Sequence, residues 1–282
     1  MGLPGTARSW VSRLTARLPS QAAHWSLLVF GLGTALSAGL QRHLDPAQGT
    51  QRLVELDLGE AFASAAVIAL VAARPRVRPD LGRTDFAILV ACALTWFLPE
   101  PHAVYLGMSL AGAWLTIGRR RDRLLQDVGQ VWLGLSFCEL WSKLAFKMVY
   151  HVIEPFEVAV MSWVGRWVFP DLRSTGAYLS TRSDWSVVML EGCSAFHNLS
   201  LAALVWLCIL KIAGRHADRG ALLALATSAG LVVAINVARI LAMLPSPDAY
   251  RFWHDGSGSV LVAVASVAAS VAPVILHVER TA

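Results

Sequence analysis

Residues 220–244 read GALLALATSAGLVVAINVARILAML, 25 residues in which Arg239 is the one charged side chain. A helix of that length is about 37 Å long, enough to cross the roughly 30 Å hydrocarbon layer of a bilayer. The stretches on either side, 185–210 and 258–277, are similarly apolar. Toward the N-terminus the runs shorten and become rich in Ala, Leu and Gly: 24–40, 58–73, 86–98 and 103–117. A further run, 128–149, is amphipathic. The predicted fold is all-α, a polytopic integral membrane protein with about eight transmembrane helices.

Composition agrees. Of 282 residues, 56% are hydrophobic and 15% charged, with a mean hydropathy of +0.54. A disordered chain needs low hydrophobicity, and a soluble domain of this size has no core large enough for so much apolar surface. The net charge of +5 comes from Arg residues clustered between apolar runs, a pattern of membrane topology rather than of nucleic-acid binding. The four cysteines, Cys92, Cys138, Cys193 and Cys208, form no CxxC pair and no zinc spacing. Neither a metal nor an organic cofactor is implied.

Positive charge sets the orientation. With a cytoplasmic N-terminus and eight spans, fifteen Lys and Arg residues face the cytoplasm, among them Arg8, Arg13, Arg17, the Arg119–Arg123 cluster, Lys211, Arg215 and Arg219. Six face outward: Arg42, Arg52, Arg166, Arg173, Arg182 and Arg251. Counting 154–169 as a ninth span would reverse the last third. Its Trp163, Trp167, Phe169 and Arg166 suit a helix lying in the outer interface. Residues 1–23 are then a cytoplasmic lead-in and 24–149 five helices. Residues 150–184 form an outer interfacial helix and polar loop, and 185–282 a three-helix region. Within the fifth span Glu139, Lys143 and Lys147 recur at spacing four on one face, for internal ion pairing or for lining a groove.

Three polar residues fall at one depth. Cys193 lies about eight residues into its span from the outer end, and Arg239 six residues before Pro245. Both depths come to roughly 9–12 Å. His254 follows in the outer segment 245–257. A thiolate is a nucleophile favoured by a nearby cation, His carries protons near neutral pH, and Arg holds a developing oxyanion. Asn236 shares a helix face with Arg239, and Glu191 is placed to neutralise or position it. His197, at i+4 from Cys193, competes with His254 as the base. Ser194 and His197 also suit helix–helix hydrogen bonds.

Glu191-Gly192-Cys193-Ser194-Ala195, then Asn236-Val237-Ala238-Arg239, then His254 with Gly258 four later, resembles the exosortase/archaeosortase family. The motif resemblance covers about residues 184–258. This chain carries Ala195 where the family pattern has Gly. The resemblance implies a membrane cysteine peptidase or transpeptidase. Its partners would be exported proteins ending in a short motif, a transmembrane helix and a basic tail. It implies Cys193 as nucleophile, Arg239 as thiolate or oxyanion stabiliser and His254 as proton carrier. The expected location is the cell inner membrane, with the site toward the periplasm or exterior. The rival class is a non-enzymatic membrane protein, a small transporter or assembly partner, in which Glu139, Lys143, Lys147, Glu191 and Arg239 line a polar path.

Overall fold

The computed structural model describes residues 20–44, 58–74, 79–119 and 122–281. The lead-in arginines Arg8, Arg13 and Arg17, and Arg52, Arg76, Arg78, Arg120 and Arg121, lie outside the described residues. The chain is mostly helical and divides into two compact units. Of the described residues, one unit holds those up to Leu140 with Leu207–Arg215; the other holds Trp141–Trp206 with those from His216 on.

The first unit contains α1 (Ser20–Leu44), α2 (Leu58–Ala73), α3 (Arg83–Ala93), α4 (Pro101–Gly118) and α5 (Arg123–Ser136). Sequence punctuation sets the helix starts. Pro101 sits in the first turn of α4, where its missing N–H costs nothing, and Asp122 caps α5 by accepting from the amides of Leu124 and Leu125. α4 and α5 pack face to face. Gly112 and Gly129 let them: a Cβ on either would come within 2.8 Å of the other's carbonyl oxygen.

Three buried carboxylates in this unit, Asp85, Asp127 and Glu60, meet cations. Asp85, wholly buried, accepts from the Arg119 guanidinium and from Trp114 Nε1 at 2.8 Å. Asp127 takes Lys211 Nζ at 3.1 Å and Arg74 Nη2 at 3.4 Å. Glu60 takes Arg42 Nη2 at 2.6 Å and accepts from the Tyr105 hydroxyl. A π-helical turn, Phe137–Trp141, follows α5. It breaks the spacing-four register expected there: Glu139 is buried, whereas Lys143 and Lys147 are exposed.

The second unit starts with α6 (Ser142–Gly165). The expected interfacial helix at 154–169 is the second half of this longer helix, which Pro155 does not interrupt. Its Phe156 and Trp163 are nonetheless exposed, as is Trp167 just beyond its end. The polar stretch read as loop carries β1 (Arg173–Thr175) and β2 (Tyr178–Ser180), which form a small antiparallel sheet with β3 (Val187–Val188) of the apolar run that follows, in the order β1-β2-β3. Then come α7 (Phe196–Ile212), α8 (Arg219–Met243), α9 (Pro247–His254) and α10 (Ser257–Arg280). α8 packs against α9 and α10. The core gathers Val158 and Met161 of α6, Leu179 and Val187 of the sheet, Met189, and Ile240, Leu241 and Met243 of α8.

Among the described residues, three helices are long and apolar enough to cross a membrane: Gln21–Arg42, Arg219–Met243 and Ser257–Arg280. Leu58–Ala73 and Phe196–Ile212 are apolar but shorter. Sixteen residues reach only roughly 24 Å against a layer of about 30 Å. α10 exposes Val260, Leu261 and Val264, an apolar surface that water does not favour and lipid does.

Candidate active site

The sequence reading put Cys193 two turns inside a helix. It lies outside one. Val187 and Val188 are β-branched and pair with β2, so the apolar run from Trp185 is partly strand rather than helix. Met189 N–H continues the pairing to Ala177 O at 2.9 Å. The chain then closes a single 3-10 turn, Glu191–Cys193, with Cys193 N–H donating to Leu190 O at 2.8 Å. Helix α7 begins three residues after the cysteine. Cys193 is therefore held at a strand-to-helix junction, half-buried, with its sulfur 3.9 Å from Val188 O. The i+4 relation to His197 disappears with the helix: His197 is exposed on the first turn of α7.

Ser194 fixes the junction from both sides. Its Oγ accepts from Phe196 N–H at 3.1 Å, satisfying one of the donors that a helix start leaves open, and donates to Glu157 Oε1 at 2.6 Å. Phe196 stacks on Phe146 of α6 with ring centroids 4.5 Å apart. Tyr150 adds a bond from its hydroxyl to Met189 O at 3.2 Å. These contacts tie the cysteine turn to α6.

Helix α8 holds the other side. Asn236, 3% exposed, donates from Nδ2 to Cys193 O at 2.9 Å. Arg239, three residues on along the same face, donates from Nε to Trp253 O at 3.2 Å. Trp253 immediately precedes His254. One turn of α8 thus grips the backbone of the cysteine and the backbone beside the histidine. Glu191, expected to neutralise Arg239, is exposed on its turn and makes no ion pair with it; among the described residues no carboxylate does. Both Nη groups of Arg239 are uncommitted to any carboxylate.

His254 ends α9. Its Nδ1 lies 2.7 Å from Asp255 Oδ1, and its ring stacks on Tyr250 with centroids 4.7 Å apart and planes 13° apart. Tyr250 in turn meets the Trp185 ring edge-on at 5.8 Å. Cys193, Trp185, Val237, Tyr250 and Trp253 all pack on the same core. Burial first, then the negative charges that Cys193 and Asp255 can carry, push the Tyr250 phenol above its ordinary range; Arg239 pulls it the other way. The tyrosine thus lies within electrostatic reach of the thiol, the guanidinium and the Asp255 carboxylate.

The sequence reading missed Glu157, Trp185, Tyr250, Trp253 and Asp255. Tyr250 carried a signal, since it precedes His254 by four residues, one helical turn. Glu157 and Trp185 carried none, because only the tertiary fold brings them near. No group of His, Cys, Asp and Glu suited to a metal ion occurs among the described residues. Compared with family models, curated proteins and solved structures, the chain matches none.

Proposed function

We propose that this chain is a membrane-embedded cysteine peptidase or transpeptidase acting on the membrane-anchored C-terminal tail of other proteins. The observation that carries the reading is the double grip of α8: Asn236 on Cys193 and Arg239 on the residue before His254. A nucleophile, a cation and a proton carrier from three separate segments share one small neighbourhood. A cysteine that merely packs needs no such company.

The chemistry runs as follows. The Cys193 sulfur forms a bond to the scissile carbonyl carbon while its proton passes to His254. The uncommitted Nη groups of Arg239 receive the developing oxyanion. The carbon–nitrogen bond breaks as His254 returns the proton to the leaving amine, leaving a thioester on Cys193. Water, or the nucleophile of an acceptor, then attacks the thioester, gives its proton to His254 and restores the thiol. No metal or organic cofactor takes part.

In this reading the chain crosses the inner membrane about eight times with both termini cytoplasmic. The shorter apolar helices complete the bundle where neighbours and local thinning shield their ends. The site then faces the periplasm or exterior, where exported tails emerge.

The test is Cys193→Ala, co-expressed with an epitope-tagged protein from the same genome that ends in a short motif, one span and basic residues. Processing disappears while the enzyme remains at normal abundance in membranes. Processing near the wild-type level would end the peptidase reading and leave a small transporter or assembly partner as the better account.

A further inference from the structure

We propose that Asp255 is a positioning residue for His254: its carboxylate holds the proton on Nδ1 and leaves Nε2 as the working nitrogen, while Tyr250 locks the plane of the ring. This rests on the peptidase reading for its purpose but not for its measurement.

An ionised Asp only accepts hydrogen bonds. With Asp255 Oδ1 at 2.7 Å, His254 Nδ1 must be the N–H that donates, whether the ring is neutral or charged. A neutral imidazole has one N–H, so the lone pair falls on Nε2, the atom that takes a thiol proton and later returns it. An imidazole rotates about two side-chain bonds, so a single bond at Nδ1 fixes its proton but not its plane. The Tyr250 ring supplies that second constraint from one turn earlier on α9, at 13° from parallel. Tyr250 is itself buttressed by Trp185, so the stack is anchored outside its own helix.

Other charges around the ring do not compete for Nδ1. On α9, Arg251 is paired with Asp248 at 2.7 Å on the exposed side. From α8, Arg239 reaches the segment through the Trp253 carbonyl. From the strand-to-helix junction comes Cys193, the group to be deprotonated. A nucleophile, a base held by a third group, and an oxyanion donor are the parts a thiol acyl-transfer site needs. Sequence adjacency of His254 and Asp255 hid the third part.

The test uses the full chain, labelled with 15N-histidine and held in detergent micelles at mildly alkaline pH. His254→Gln identifies the His254 signals. In the wild type, the long-range proton–nitrogen spectrum shows His254 with the proton on Nδ1. Asp255→Asn moves the neutral ring toward the Nε2–H form, and Asp255→Glu restores Nδ1–H in part. A wild-type ring with its proton on Nε2, or an Asp255→Asn spectrum unchanged from the wild type, would overturn the proposal. Because Asp255 is exposed, Asn at this site leaves the fold intact. In the processing assay, Asp255→Asn lowers kcat by about a hundredfold, the lower end of what general acid–base catalysis supplies, with KM unchanged. Tyr250→Leu loses the stack and lowers kcat with it. The spectrum reads the positioning whether or not the chain turns over a substrate. A peptidase reading that fails at Cys193→Ala therefore stays distinguishable from a failure of Asp255 to hold the ring.

Discussion

Arg239 has an unusual position for a guanidinium on an apolar helix: one nitrogen is spent on a carbonyl and the rest on no carboxylate. A charge at such a site costs the resting protein free energy when no anion offsets it. In the proposed mechanism that anion is the oxyanion, present only during reaction. Arg239→Ala should therefore slow processing by roughly a hundred- to thousandfold, the loss of about 2.7–4 kcal/mol seen when an oxyanion donor is removed. Arg239→Lys should recover little, since an ammonium lacks the planar fork. The readout is the ratio of unprocessed to processed substrate, normalised to enzyme in membranes. Insertion should persist, because losing an Arg makes the span more apolar.

Tyr250 gives a pH signature. Its phenol is shifted upward, by burial first, in the folded chain. The folded state thus resists its ionisation. The stability this contributes is full below the ordinary tyrosine value of about 10 and is lost as pH rises from there through the raised value of the folded chain. Tyr250→Phe should flatten the alkaline fall in Tm measured in detergent; an identical fall in both proteins would contradict the assigned environment. Cys193, Arg239 and His254 stand out in the sequence because their chemistry is unusual in apolar surroundings. Asp255 and Tyr250 were not, because an acid after a His and an aromatic near a membrane face have ordinary explanations.

At the scale of elements, the run from Trp185 to Leu210 shows why apolarity alone does not set a boundary. Trp-Ser-Val-Val-Met-Leu is as apolar as the helix after it, but its valines extend and pair with β2. A short apolar run does not by itself distinguish strand from helix. The start of α7 depends instead on Ser194. Ser194→Ala removes an acceptor for Phe196 N–H and strands Glu157 without its donor. The cost should be about 1 kcal/mol or somewhat more, a fall of a few degrees in Tm, together with a larger loss of processing as the cysteine turn loosens. Ser194→Thr should keep most of both. The helices at 58–73 and 220–244 were read nearly to the residue, because Leu58–Ala73 and Arg219–Met243 are flanked by polar breaks.

At the scale of the whole molecule, charge distribution and helix length give different kinds of information. Among the described residues, three helices are long and apolar enough to cross by themselves. The eight-span topology rests on Lys and Arg, several of which pair internally: Lys211 and Arg74 both meet Asp127. The expectation follows that residues 74, 127 and 211 share one side of the membrane. Cysteine-accessibility mapping tests it. Ser174→Cys should react with an impermeant reagent in intact cells, and Arg215→Cys only after the membrane is opened. Labelling of Arg215→Cys in intact cells would reverse the last third of the chain.

The double grip of α8 has a consequence for how this molecule tolerates change. Asn236 and Arg239 share one face of one helix, so a single inserted residue just before Asn236 would turn both by about 100°. The nucleophile and the proton carrier would lose their moorings together. The register of α8 is therefore a single setting, with no half-step that keeps both bonds.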